Sequence, residues 1–200
     1  KIMDVISRVA ERDKVSVYAV GGFVRDLILN RERNDLDILV IGSGTDFAKS
    51  VADELGITNV SYFKNFGTAH FDFREMNIEF VGARKESYDR NTRKPIVEDG
   101  TFEEDISRRD FTINTLAISL NINEIGKLID KFDGLSDIKN QLIKTPLDPF
   151  NTFDDDPLRI MRAFRFASQL NFNVDESIII AAKEMRERLA IVSQERITDE

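Results

Sequence analysis

The 200 residues carry 28 Lys and Arg against 36 Asp and Glu, a formal net charge of −8, with 42% hydrophobic residues, fifteen Phe, one His and no Cys. This length allows one large domain or two small ones with a phenylalanine-rich core. The composition leaves no place for disulfides, thiolate chemistry or a His-rich zinc site, and no apolar run approaches the roughly 20 residues that span a bilayer.

The missing Cys fits a reducing, cytoplasmic compartment, and no signal peptide is legible. The chain starts at Lys1 and stops at Glu200 inside a helical pattern, so it reads as a piece of a longer protein. An acidic balance counts against this piece holding RNA alone, because nucleic-acid binders present a basic face.

In chain order, Ile2, Val5, Ile6, Val9 and Ala10 recur at helical spacing and predict a packing helix. Residues 15–20 alternate as a strand and run into Gly21-Gly22. That pair lets backbone N–H groups approach a phosphate at a helix start, and Arg25, one turn on, supplies a cation. The next strand, 36–41, is nearly all apolar, as a strand buried on both faces would be, and opens with Asp35-Leu-Asp37. Side chains at i and i+2 share one face of a strand. Two carboxylates side by side suit Mg²⁺ that also takes phosphate oxygens, although acidic pairs at strand ends are more often solvated. The glycine pair and Arg25 tilt the stretch towards phosphate chemistry.

Thr45 or Asp46 is expected to cap a helix ending at Leu55, with Gly56 as its stop. Strands are predicted over 60–63, 69–73 and 78–81, with Glu75-Met-Asn77 as the turn between the last two. Glu79 interrupts an apolar strand, so it either faces solvent or meets a ligand. His70 reads as a packed or edge histidine. Residues 84–100 are polar and read as a mobile loop. Thr101-Phe-Glu-Glu104 is a capping-box pattern leading into Arg108-Arg-Asp-Phe-Thr-Ile-Asn114. A last short strand is expected at 142–144. Pro146 and Pro149 mark a boundary near 148, after which the chain turns helical. Asp154-Asp-Asp-Pro157 is expected to open a helix bearing Arg159, Arg162 and Arg165, with a second helix over 175–189 and a third starting at Ser193.

These motifs, in this order, resemble the class II tRNA nucleotidyltransferase/poly(A) polymerase family. The matches are Gly21-Gly-Phe-Val-Arg-Asp26, Asp35-Leu-Asp37, the Arg108–Asn114 signature, Asp155-Asp-Pro-Leu-Arg159 and Ser193-Gln-Glu-Arg-Ile197. The chain departs from the family at Asp155, where Glu is usual. It departs again at Asp130-Lys-Phe-Asp-Gly134, where Asp-Pro-Phe-Gly-Gly is usual.

The resemblance implies an α/β (α+β) nucleotidyltransferase head with a mixed sheet over residues 1–148 and an α-helical neck over 149–200, truncated at its C-terminal end. It implies template-independent transfer of CMP or AMP from CTP or ATP to the 3′ end of tRNA. Asp35 and Asp37 would hold two Mg²⁺ ions, and Glu79 would complete the carboxylate set, ligating metal or orienting the 3′-hydroxyl. Gly21, Gly22, Arg25, Arg109, Arg162 and Arg165 would face the triphosphate, with Asp110 and Asn114 near the ribose. Residues 84–100 would be the flexible loop after the third carboxylate, here of full length.

Asp156 and Arg159 would read the base. Cytosine and adenine both pair an exocyclic amine with an unprotonated ring nitrogen, which a carboxylate and a guanidinium match. Guanine and uracil present the reverse polarity. tRNA would be held mostly by a C-terminal region outside this sequence. An A-adding enzyme or a bacterial poly(A) polymerase is the runner-up. The basic run that such polymerases carry before the third carboxylate is absent from Phe63-Lys-Asn-Phe-Gly-Thr68. An inactive RNA-binding module is the alternative of a different class.

Overall fold

The computed structural model describes residues 2–63, 67–87 and 96–200. A seven-stranded mixed sheet runs in the order β3-β4-β5-β2-β1-β8-β9. Its strands are β1 Val17–Val20, β2 Asp35–Val40, β3 Ser61–Phe63, β4 Thr68–Phe73, β5 Met76–Gly82, β8 Ala117–Ser119 and β9 Leu128–Ile129. Only β2 and β5 run parallel; the other neighbours are antiparallel.

Alternation along β2 separates its two jobs. Leu36, Ile38 and Val40 enter the main core under α1 (Ile2–Asp13) and α3 (Gly44–Leu55). The opposite face carries Asp35, Asp37 and Leu39, with Leu39 packed beside Phe102 and Ile106 of α4 (Phe102–Ser107). Both faces are thus buried at the C-terminal half of the strand, while the acidic end stays open.

Several elements differ from the sequence reading. β1 starts at Val17, because Lys14 takes a left-handed φ of 55° and the Val15 N–H closes back on Ala10. The cap of α3 is Ser43, whose Oγ accepts from the Asp46 N–H, and Gly44 is already helical. A Cβ on Gly44 would lie 2.6 Å from the Gly82 nitrogen and 2.8 Å from the Gly67 oxygen, so only glycine lets α3 reach the sheet here. Gly56 ends α3 at φ 69°, as expected. The turn between β4 and β5 is at Arg74-Glu75, with Met76 and Asn77 already paired.

The expected loop over 84–100 is in part a two-stranded ribbon, β6 Arg84–Ser87 against β7 Ile96–Asp99. The stretch 88–95 lies outside the described residues. Each ribbon strand is only four residues long and, among the described residues, pairs only with the other, so its polar sequence hides it.

Among the further elements that went unread in the sequence are β8, β9, α5 (Gly134–Lys139) and α6 (Pro149–Asp155). In the Asp130–Gly134 stretch, Asp133 adopts the left-handed conformation at φ 57°, where the family's glycine would sit freely. The Asp130 carboxylate accepts from the Gly134 and Leu135 N–H groups and stiffens the turn. Asp148 caps α6 with Pro149 in its first turn, so Asp154 and Asp155 end that helix rather than opening the next. Asp156 then leaves helical geometry and accepts from the Leu158 N–H at the start of α7 (Leu158–Leu170).

Beyond α7, β11 (Asn173–Val174) pairs parallel with β10 (Leu142–Ile143). α8 (Glu176–Met185), a 3-10 turn over Arg186–Ile191 and α9 (Gln194–Asp199) follow. Phe153, Ile160, Ala163, Phe166 and Ile178 belong to the same buried cluster as the sheet, so the apolar core continues from the sheet into these helices. The β10–β11 pair also crosses the expected boundary at 148.

Candidate active site

Sheet register gathers the carboxylates. Asp37 is level with Glu79 on its parallel neighbour β5 and with Val20 on β1, while Asp35 is level with Asn77. His70 stands one strand beyond Glu79 on β4, inside the sheet rather than at its edge, and stacks on Phe63 with ring centroids 5.5 Å apart. Burial, the neighbouring Glu79 charge and, more weakly, Asp35 push the Asp37 carboxyl up to about 6, against a lowering influence from Arg109.

That elevation marks a carboxylate buried first and crowded by like charge second, both of which a bound divalent cation would offset. Among the described residues no three His, Cys, Asp or Glu side chains gather closely enough to cage a metal ion. Asp35 and Asp37, on one face of β2, offer two hard oxygen ligands of the kind Mg²⁺ takes beside phosphate oxygens and water.

Opposite the carboxylates stand the guanidinium groups. Gly21 has φ 71°, and a Cβ there would meet Arg109 Nη1 at 3.0 Å and Asp37 Oδ2 at 3.6 Å. Glycine at this turn keeps open the gap between the acidic pair and Arg109. Arg109 donates through Nη2 to the fully buried Asp105 at 3.0 Å, and its buried Nε has no hydrogen-bond partner. An orphan donor of this kind is costly unless an anion completes it. Asp105 also accepts from Arg108 Nη2 at 2.6 Å and from the Arg84 N–H at 3.3 Å. Burial raises its carboxyl, but the charges of Arg109 and Arg108 outweigh it and hold Asp105 below the ordinary carboxylate range. The capping box Thr101–Glu104 on α4 fixes the helix that carries this aspartate.

A second network runs from α2 (Gly22–Ile28) into α7. Arg25 forks onto Asp26 at 2.9 and 2.8 Å and donates to Asn114 Oδ1 at 2.8 Å. Asn114 donates to Asp110, which takes both Nε and Nη2 of Arg162 at 2.9 and 2.8 Å. Burial raises the Asp110 carboxyl, and Arg162 with Asn114 more than offsets it, so the group sits below its usual range. Glu200 then accepts from Arg162 and Arg165. The guanidiniums of Arg25, Arg162 and Arg165 surround the Phe166 ring at 4.4–5.3 Å from its centroid.

The predicted site residues other than Arg165 divide among three adjoining cavities that share Asp37. One of about 420 Å³ brings together Gly21, Gly22, Arg25, Asp37, Arg109, Asp110, Asn114, Asp156, Arg159 and Arg162. Arg159 is 8% exposed, with its guanidinium donating to the main-chain carbonyls of Arg108 at 2.8 Å and Thr152 at 3.4 Å. Asp35 lines a separate cavity with Glu32 and Arg33, and Glu79 lines a third with Phe63 and Arg84. Arg165 lines none of the three.

Sequence reasoning missed Arg108, Arg196 and Phe166 in the nucleotide-sized cavity and Asp105 behind the arginines. Arg108 and Asp105 stand next to called residues and could have been read with them. Arg196 arrives from α9, within the Ser193-Gln-Glu-Arg-Ile197 motif, to which the sequence reading gave no site role.

A carboxylate pair facing orphaned and oriented arginines across a glycine turn is chemistry for handling phosphate esters. The chain belongs to the poly A polymerase head domain family, whose model matches residues 17–144. An A-adding tRNA nucleotidyltransferase of Aquifex aeolicus is 46% identical over 160 residues, covering 80% of this chain and 19% of that protein. A CCA-adding enzyme of Lactobacillus helveticus is 39% identical over 189 residues, covering 92% of this chain and 44% of its own length. A solved tRNA nucleotidyltransferase complexed with a primer tRNA and an incoming ATP analog superimposes with a TM-score of 0.85 at 37% identity, over 97% of this chain and 54% of that one. The chain thus spans less than half of either curated relative.

Proposed function

We propose that this chain is the catalytic head and neck of an enzyme that adds nucleotides to the 3′ end of tRNA without a template, releasing pyrophosphate, with CTP and ATP as substrates. The observation that carries it is the single cleft in which Asp37, the orphaned Arg109 donor and the Asp156–Arg159 pair meet. The relatives named CCA-adding and A-adding support tRNA as acceptor.

In the reaction the acceptor's 3′-oxygen attacks the α-phosphorus, the bond to the bridging oxygen of pyrophosphate breaks, and the hydroxyl proton departs. Arg109, with Arg25 and Arg162 behind it, neutralises the triphosphate. Asp110 and Asn114 hold those arginines in place, and the ribose lies beside them. Two Mg²⁺ ions, when bound at Asp35 and Asp37, would neutralise phosphate charge and acidify the attacking hydroxyl. Asp156 accepts from the exocyclic amine and Arg159, already oriented by two carbonyls, donates to the ring nitrogen.

Incorporation on tRNA lacking its 3′ end, on tRNA ending in C and on tRNA ending in CC, with each of the four triphosphates, tests the reading. CCA addition predicts two C and then one A. Addition of A alone, and only to the CC end, would assign the A-adding branch. No transfer to any of the three would overturn the proposal.

A further inference from the structure

The cavity that Asp35 lines measures about 450 Å³, within the roughly 300–1,000 Å³ of small-molecule sites. It shares Gly22, Arg25 and Asp37 with the nucleotide-sized cavity and adds Glu32, Arg33 and Asp35 to them. Asp110, Asn114, Asp156 and Arg159, which serve the ribose and the base, do not enter it. Its single aromatic residue, Phe23, is 6% exposed and offers no open face for a base to stack on.

Arg33 is the distinctive group of this cavity. Its guanidinium lies over the Phe23 ring, 5.6 Å from the centroid, and donates through Nη1 to the Arg31 carbonyl at 3.0 Å. Phe23 belongs to the main core, so this anchor is fixed. Among the described residues Arg33 forms no ion pair, although Glu32 and Asp35 line the same cavity. Arg25, the other guanidinium there, is committed to Asp26 and Asn114. Arg33 therefore keeps most of its N–H donors available on a group already held in place, and a guanidinium in that state suits phosphate oxygens.

A polar cavity with no base platform, joined to the triphosphate residues and carrying a held, unpaired guanidinium, fits a small polyanion. We propose that this cavity receives the leaving pyrophosphate and that Arg33 is its phosphate contact. Asp26, Glu32, Asp35 and Asp37 all line the cavity, so pyrophosphate binds there together with Mg²⁺ and not as the bare anion. The inference rests on the nucleotidyltransferase reading above and extends it to the product side. Arg33 lies between Asp26 and Asp35, outside every matched motif.

The test uses the full-length protein with Mg²⁺ and compares wild type with Arg33→Met and Arg33→Glu. Titrations give Kd for pyrophosphate, CTP and CMP, and a thermal melt accompanies each variant. Arg33→Met still covers Phe23 but carries no charge. It should raise the pyrophosphate Kd about tenfold, the loss of one charged hydrogen bond. Arg33→Glu should raise it further, CTP should follow the same order, and CMP should bind as in wild type. A pyrophosphate Kd unchanged in both variants overturns the proposal. So does an equal loss for CMP, which would mean that Arg33 acts only through the packing of α2. An acceptor tRNA KM raised while pyrophosphate Kd stays constant would assign Arg33 to the RNA and also overturn it. A second measurement needs no variant: arginine-specific modification of the wild type by phenylglyoxal, read by mass spectrometry. Mg²⁺ with pyrophosphate should protect Arg33 and CMP should not; equal modification with and without pyrophosphate contradicts the assignment. Wild-type protein that transfers no nucleotide to any acceptor would instead mean the failure of the underlying function.

Discussion

At Asp37 the fold holds a carboxyl that folding alone disfavours. Its folded value near 6 lies above the ordinary 3.8, so the folded chain binds this proton more tightly than the unfolded chain. The associated stability is present below 3.8 and is lost as pH rises through about 6. In metal-free buffer Asp37→Asn should therefore raise the melting temperature by several degrees at pH 7, with the gain vanishing as pH falls towards 4; calorimetry across that range checks it. Saturating Mg²⁺ should stabilise the wild type and leave the variant behind. A variant less stable than wild type at pH 7 without metal would contradict the account of a buried, crowded charge.

Asp156 makes the sharper chemical case. Asp156→Ala removes the acceptor for the amine of C and A, so incorporation of both should fall and the margin over U and G should narrow. A mispaired buried polar group costs about 1–3 kcal/mol, roughly one to two decades. Single-nucleotide incorporation with all four triphosphates reads this directly, and Arg186→Ala, outside the three cavities, should keep wild-type choice.

Between elements, the approach of α3 to β5 sets where Glu79 stands. Gly44→Ala drives a Cβ into the backbone of Gly82 and Gly67, and overpacking of this kind costs on the order of 1–3 kcal/mol. A drop in melting temperature is expected; an unchanged value would show that α3 shifts freely. The same contrast explains what the sequence could reveal. The glycine turn, β2, α3 and the capping box of α4 are encoded within a few residues each, so spacing alone exposes them. β8 and α5 are three and six residues long and rest on partners elsewhere in the chain, while the β6–β7 ribbon is local but polar. α6 was legible in principle, since Asp148-Pro149 is a cap followed by a first-turn proline, but the acidic run after it drew the helix start too far along. For the site, Asp35, Asp37 and Arg109 could be named from motifs. Phe63 and the orphaned Nε of Arg109 are products of assembly, and no local pattern announces them; Arg196 lies in a motif but reaches the cavity only through the packing of α9.

The whole molecule is acidic, yet its cleft concentrates arginine. Arg25, Arg109, Arg159 and Arg162 line one cavity, and Asp26, Asp105, Asp110 and Glu200 hold three of them in place. Net charge therefore describes the outer surface and says little about the site. Arg109→Ala should weaken every nucleotide about equally, by on the order of 1.5–3 kcal/mol, because a phosphate contact does not read bases. A loss confined to CTP or to ATP in a binding titration would reassign it.

The most direct test of the catalytic account is Mg²⁺-dependent nucleotide incorporation into tRNA by Asp35→Ala and Asp37→Ala, each beside a thermal melt. The account predicts that both variants remain folded, bind tRNA and transfer no nucleotide. Near-normal transfer by both would contradict it.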